Sequence, residues 1–256
     1  MNDTVGALWL DGREMSGSGH AMHGSADEAM SLRAALLTPH GGTTGDWLID
    51  DRVCDCCQTD TAVTPDGIVA VYRNRTEDEL RDISLVRFDG KTWSRPRQIA
   101  EDGWRIAGCP VNGPAVTARD ERVGAAWFTA ADGASRVYFA QSSDSGKTFG
   151  ERVRVDAGAP LGRVDVVLLD DGAIVSWLGQ TEQGDAEIRL RRIDAASEAG
   201  DALVLTGTSA ARSSGFPQMV LSADRLVLAW TETATPSRVH TAVLPVSRKK
   251  KEPGNL

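Results

Sequence analysis

The chain contains no apolar run approaching the roughly 18 residues that a membrane-crossing helix requires. Tyrosine, cysteine and proline are scarce, at 2, 4 and 10 of 256 residues. Without an apolar run no helical membrane span is expected. Four cysteines are too few for a disulfide scaffold. Little proline and no heptad pattern exclude collagen and coiled coil. Excess positive charge is also missing: the net charge is −8, which argues against a nucleic-acid partner. The one basic run, Arg248-Lys249-Lys250-Lys251, sits in the last nine residues. It reads as a solvated, disordered tail, 248–256, after a single domain over 1–247. Met1-Asn2-Asp3-Thr4 has neither the basic region nor the apolar core of an export signal.

What is present is glycine, tryptophan and a repeat. The chain has 26 Gly and 7 Trp. One unit recurs: a short apolar strand ending in an aromatic residue, at Trp9, Tyr72, Trp127, Trp177 and Trp230. Before each aromatic strand, from Tyr72 onward, stands a small-residue strand and a tight turn. Asp66-Gly67 and Asp171-Gly172 are strong hairpin signals between apolar runs. A loop of variable length, a third strand, a turn and a fourth strand follow. The fourth strands are read over 95–99 and 151–155. Four antiparallel strands repeating about every 50 residues is the pattern of a β-propeller blade; a sandwich with accidental internal similarity is the alternative. The first unit begins at its second strand and the last stops after its third. The expected architecture is therefore all-β, with about five blades and 18 strands, six-bladed when intact. The intact form is expected to carry an export signal and to be periplasmic or secreted.

One turn is specific. Ser142-Ser143-Asp144-Ser145-Gly146-Lys147-Thr148-Phe149 matches the Asp-box. Its Asp can accept turn amides, its Gly can take positive φ and its aromatic can plug the base of the hairpin. The structural residues are Ser142, Asp144, Gly146, Thr148 and Phe149. Residues 88–93 form a degenerate copy. On these motifs the chain resembles the sialidase-like, bacterial neuraminidase repeat propellers. It is more closely similar to a bacterial branch carrying Cys-x-Cys-Cys-Gln-Thr, here Cys54 to Thr59, and Gly-Cys-Pro-Val-Asn-Gly-Pro, here Gly108 to Pro114.

Strand order alone sorts the connections onto two faces. Turns between strands one and two, and three and four, lie on one face. The longer loops, and nearly all the unusual chemistry, lie on the other. The resemblance implies a glycosidase acting on an acidic sugar, whose carboxylate is gripped by arginines. The substrate-binding candidates are Arg73, Arg75, Arg81, Asn112, Arg163 and Arg212. Sialidases use a Tyr nucleophile activated by Glu, so Tyr72, Glu77 and Glu79 are the catalytic candidates. The sequence departs from the family by lacking Phe/Tyr-Arg-Ile-Pro, and Tyr72 stands where other blades carry a packing Trp. A non-catalytic propeller binding a glycan or a protein is the alternative, and a metal or redox protein a further one. The expected partner is an anionic glycan or small acidic ligand; oligomeric state is left open.

The four cysteines admit three readings. Aligning the first strands sets Cys56 opposite Cys109, so one of Cys54, Cys56 and Cys57 is expected to approach Cys109 within disulfide distance. Buried thiols are the second reading. The third is a copper or zinc site made by Cys54, Cys56, Cys57 and Cys109 with His20 or His23, and Met22 nearby. No cofactor is otherwise expected.

Overall fold

The structure, a computed structural model, describes residues 4–15 and 29–246. His20, Met22, His23 and the basic tail lie outside the described residues.

Five antiparallel sheets follow one another along the chain. The first contains β1 (Val5–Asp11), β2 (Met30–Leu37) and β3 (Thr43–Val53). The second has β4 (Asp60–Thr64), β5 (Gly67–Arg73), β6 (Ile83–Phe88) and β7 (Arg97–Gln98). The third has β8 (Ala115–Arg119), β9 (Arg122–Thr129), β10 (Arg136–Ser142) and β11 (Val153–Arg154). The fourth has β12 (Pro160–Leu169), β13 (Gly172–Gln180), β14 (Ala186–Asp194) and β15 (Ala199–Thr208). The fifth has β16 (Gln218–Ser222), β17 (Arg225–Glu232) and β18 (Arg238–Pro245). These are the expected blades of a propeller, with three strands in the first and last and four in the others. Within each blade the strands pair in sequence order. Among the described residues no ladder joins the first sheet to the fifth, and no helix is long and apolar enough to cross a membrane.

The five aromatics sit on β1, β5, β9, β13 and β17, each opposite a third strand: Trp127 faces Tyr138 and Trp177 faces Arg189. The second strands of the three middle blades, β5, β9 and β13, read as nearly continuous apolar runs because both their faces are covered by neighbouring blades, whereas β1 and β17 in the end blades are only partly buried. Trp127, Trp177 and Tyr72 are completely buried. Burying a side chain of this size is worth about 1.5–3 kcal/mol. The fourth strands differ from expectation. β7 and β11 pair over two residues each, because the outer edge is held by turn and side-chain contacts rather than by ladder. Pro96, immediately before β7, has no amide to donate.

The turn over 142–149 closes on two side chains. Ser142 Oγ accepts from Gly146 N at 2.9 Å, and Asp144 accepts from Thr148 N at 2.8 Å and Thr148 Oγ1 at 2.6 Å. The Ser142 hydroxyl, donating to Asp144 at 2.7 Å, and the two bonds from Thr148 hold the Asp144 carboxyl far below the usual range. Asp89 accepts from Lys91 N and Thr92 N at 2.8 Å each in the preceding blade. Phe149 packs between the second and third blades.

The inner strands β4, β8, β12 and β16 are successive neighbours around an axis. They are too splayed to pair, so their edge amides need other acceptors. Asp60 accepts from Val116 N at 2.8 Å, and Asp165 accepts from Val166 N at 2.8 Å and Met219 N at 2.5 Å. Each carboxylate thus straps its inner strand to the next. β8, β12 and β16 line an axial channel of about 500 Å³.

Candidate functional site

The loops carrying the sequence candidates meet at one mouth of that channel. Cys56 is joined to Cys109, with Cα atoms 6.0 Å apart. The disulfide links the strands' approach to the second blade with the approach to the third. The same two loops are tied again by Gln58, which donates to Gly113 O at 3.0 Å and accepts from Gly113 N at 2.7 Å. A Cβ at Gly113 would stand 1.9 Å from Gln58 O, so only glycine fits there.

Arg73 is buried and spends its guanidinium on backbone. It donates to Asn112 O at 2.7 Å, Arg81 O at 2.5 Å and Phe128 O at 2.6 Å. Trp104 stacks on it at 4.7 Å, and burial depresses its affinity for the proton. Arg75 pairs with Asp55 at 3.0 Å and Glu79 at 2.8 Å. Arg81 pairs with Glu79 at 2.6 Å and points Nη1 at Cys54 Sγ, 3.4 Å away. Burial alone would raise the Glu79 carboxyl, but the bonds from Arg75 and Arg81 outweigh it and leave it below the usual range. Glu79 therefore sits between two guanidinium groups as a ligand carboxylate would.

Arg163 follows Gly162 into left-handed backbone, at φ of 53° after 87°. This breaks the β12 register and turns Arg163 N onto Asn112 Oδ1 at 2.8 Å. A Cβ on Gly162 would lie 2.1 Å from that same oxygen. The Arg163 side chain donates to Ser214 Oγ at 2.6 Å, Gly215 O at 3.1 Å and Ala210 O at 2.9 Å. Asn112 also donates to Leu161 O at 3.2 Å. Arg212 is exposed, with one long bond to Cys109 O at 3.4 Å.

Among the arginine candidates on the loop face, Arg73, Arg75, Arg81 and Arg163 already have protein acceptors. They brace the loops. Tyr72 is a correction to the catalytic candidates: it is completely buried and donates to Asp50 at 2.6 Å. Burial and the Asp50 charge push its hydroxyl far above the usual value. A substrate cannot reach it. Glu79 is held ionised by its two arginines, and Glu77 is an exposed loop residue.

Cys54 and Cys57 are buried thiols. The sulfurs of Cys54, Cys56 and Cys57 lie within 4.8 Å of one another. With Cys56 and Cys109 bonded together, the described residues leave two free cysteine sulfurs, Cys54 and Cys57, for the copper or zinc site, and the His20 and His23 named with them lie outside the described residues.

The mouth itself is a pocket of about 220 Å³. Gln58, Thr59, Asp60, Asp165, Phe216 and Gln218 line it. Sequence reasoning missed Asp60 and Asp165. The signal was there: aspartate is disfavoured in strands, yet Asp60 opens β4 and Asp165 lies within β12. Burial raises both carboxyls, and the Asp60 charge adds to the shift at Asp165, which reaches about 6. Its folded value exceeds the unfolded one, so the folded state binds the extra proton between about pH 4 and 6. Stability from this group falls as pH rises through that window. Relative to Asp165→Asn, wild type should lose about 3 kcal/mol between about pH 4 and 7. Urea midpoints of both proteins across that range measure it; a difference independent of pH would refute it.

No family model and no curated protein matches the sequence. Among solved structures, phage phi92 endosialidase is similar over 100% of this chain and 49% of that chain, at 10% identity and a TM-score of 0.55. Hadza microbial sialidase Hz136 matches over 84% of this chain and 52% of that chain, at 17% identity and 0.41. A fucose-specific lectin from Aleuria aurantia matches over 94% and 75%, at 12% identity and 0.46. The chain spans about half the length of the first two. The likeness to the endosialidase shows the fold, a sialidase-like propeller.

Proposed function

We propose that this chain is a carbohydrate-binding propeller that takes a neutral, hydroxyl-rich sugar at the loop-face mouth of its channel. The lining of the mouth pocket carries this reading. Phe216 offers an aromatic face for a pyranose ring. Arg163 lies 5.9 Å from the centre of that ring and helps to fix it. Asp60 and Asp165 retain lone pairs for sugar hydroxyls, with Thr59 and Gln218 beside them. The volume suits one monosaccharide unit within the usual concave form of such sites.

An acidic sugar fits this pocket less well. Its carboxylate would meet Asp60 and Asp165, while Arg73, Arg75, Arg81 and Arg163, which could welcome it, are bonded elsewhere. Hydrolysis through tyrosine is disfavoured because Tyr72 is sealed off. Binding without cleavage is therefore the preferred reading over an exo-glycosidase. The bacterial neuraminidase repeat branch and a periplasmic or secreted location go with it, since a disulfide between loops persists in oxidising surroundings.

Calorimetric titration with neutral sugars and with sialic acid tests the reading. Neutral sugar should bind more tightly, and Phe216→Ala should weaken it about tenfold, the value of a stacking contact near 1.4 kcal/mol. Tighter binding of sialic acid, or none by any sugar, would overturn it. Release of reducing sugar from a bound glycan would make the protein a hydrolase instead.

A further inference from the structure

We infer that Cys54, Cys56, Cys57 and Cys109 form a thiol–disulfide exchange site in which buried Cys54 is the internal nucleophile and low-molecular-weight disulfides are the external substrate. The site is separate from the sugar pocket and does not depend on it.

The arrangement has a nucleophile, an electrophile and a shield. Cys54 Sγ lies 3.9 Å from Cys56 Sγ, one of the two sulfurs of the bond to Cys109. Exchange proceeds by attack of a thiolate on a disulfide sulfur, so this is the pair of atoms that must meet. Cys54 is faced by Arg81 at 3.4 Å and, farther off, by Arg73; Glu79 lies behind Arg81 and tempers its charge. The Cys57 sulfur lies within 4.8 Å of Cys54, close enough for its thiol proton to favour the neighbouring thiolate. These groups favour the Cys54 thiolate, while burial and the same hydrogen bond push the Cys57 thiol up. Cys54 and Cys57 are buried, whereas Cys56 and Cys109 are half-buried. Solvent therefore meets the disulfide, and the nucleophile waits behind it.

The step balances without an outside oxidant. The Cys54 thiolate forms a bond to Cys56 Sγ and the Cys56–Cys109 bond breaks. Cys109 leaves as a thiolate. One disulfide and two thiols exist before and after. Cys57, once it has given its proton up to solvent, can next attack Cys54 as a thiolate, moving the disulfide to Cys54–Cys57 and leaving Cys56 as a thiolate. The released Cys109 thiolate is the group that reaches solvent. With oxidised glutathione it would form a Cys109–glutathione disulfide and expel one glutathione thiolate. The tie between neighbouring loops becomes a tie within one loop.

The test is native alkylation. The oxidised protein is incubated with iodoacetamide and no reductant, quenched in acid, and mapped by peptide mass spectrometry. A parallel arm uses oxidised glutathione. Wild type should acquire label or glutathione on Cys109, together with a disulfide within the 54–57 segment. Cys54→Ser should modify Cys109 at least about tenfold more slowly, because the remaining thiol, Cys57, could displace Cys109 only by closing a strained bond to its immediate neighbour Cys56. Cys57→Ser should still react, through Cys54–Cys56. Circular dichroism establishes that each variant is folded. Wild type whose Cys109 stays unmodified with its original bond intact overturns the proposal, whatever the variants do. So does equal Cys109 modification in folded Cys54→Ser.

Discussion

Arg73→Met is expected to lower stability by about 3–5 kcal/mol, the usual cost of stripping a buried network of its charged member. For a chain of this size that is about 10 °C in Tm. The side chain is completely enclosed, and its three backbone acceptors come from different parts of the fold. Asn112 O lies ahead of the third blade, Phe128 O at the end of β9, and Arg81 O in the second blade's long loop. Methionine fills much of the volume but donates nothing, so three carbonyls lose a partner where no ladder can replace it. The stack on Trp104 is lost as well. Arg73→Lys should recover less than half of the deficit, because one ammonium cannot reproduce a planar fork aimed three ways. Urea denaturation followed by tryptophan fluorescence measures both. A loss below about 1 kcal/mol for Arg73→Met would mean the carbonyls find other donors.

This bracing explains which parts of the molecule were legible in the sequence. Blade order was readable because its signals are local. Short apolar strands, Asp-Gly turns and the aromatic at the end of each second strand are all set within a few residues. The open count of strands at either end followed from the same alignment. The outer strands β7 and β11 were read too long: alternation over 151–155 continues past the two paired residues of β11, and over 95–99 Pro96 has no amide to pair. The Cys56–Cys109 partnership was readable from equivalence of the two inner-strand approaches, though metal and thiol readings stayed open beside it. The roles of the arginines were not readable. An arginine meant for a ligand and one meant for a carbonyl 39 or 55 residues away look the same in sequence. Asp60 and Asp165 were passed over for the same reason. Their partners are amides of the next blade's inner strand, a relation that exists only once the blades are arranged around the axis.

Removing the disulfide should cost about 4 kcal/mol. Its ends are 53 residues apart, and closing a loop of that length in the unfolded chain removes entropy of about that worth in the loop-closure account. The native side of the balance should change little. Gln58 still clasps Gly113 from both sides, and Arg73 and Asn112 still bridge the second, third and fourth blades. The effect therefore acts on the unfolded chain, which makes a specific pattern. Cys56→Ala, Cys109→Ala and the double variant should all lose the same amount, since breaking the bond once leaves nothing to break again. Each variant keeps Cys54 and Cys57, so disulfide mapping must accompany the urea titrations. In Cys109→Ala, a new bond within 54–57 closes too short a loop to restore the constraint. Equal losses near about 4 kcal/mol place the disulfide's contribution in chain entropy. Losses that add between the two single variants, or that stay below about 1 kcal/mol, would instead mean that packing around each sulfur matters more than the covalent tie.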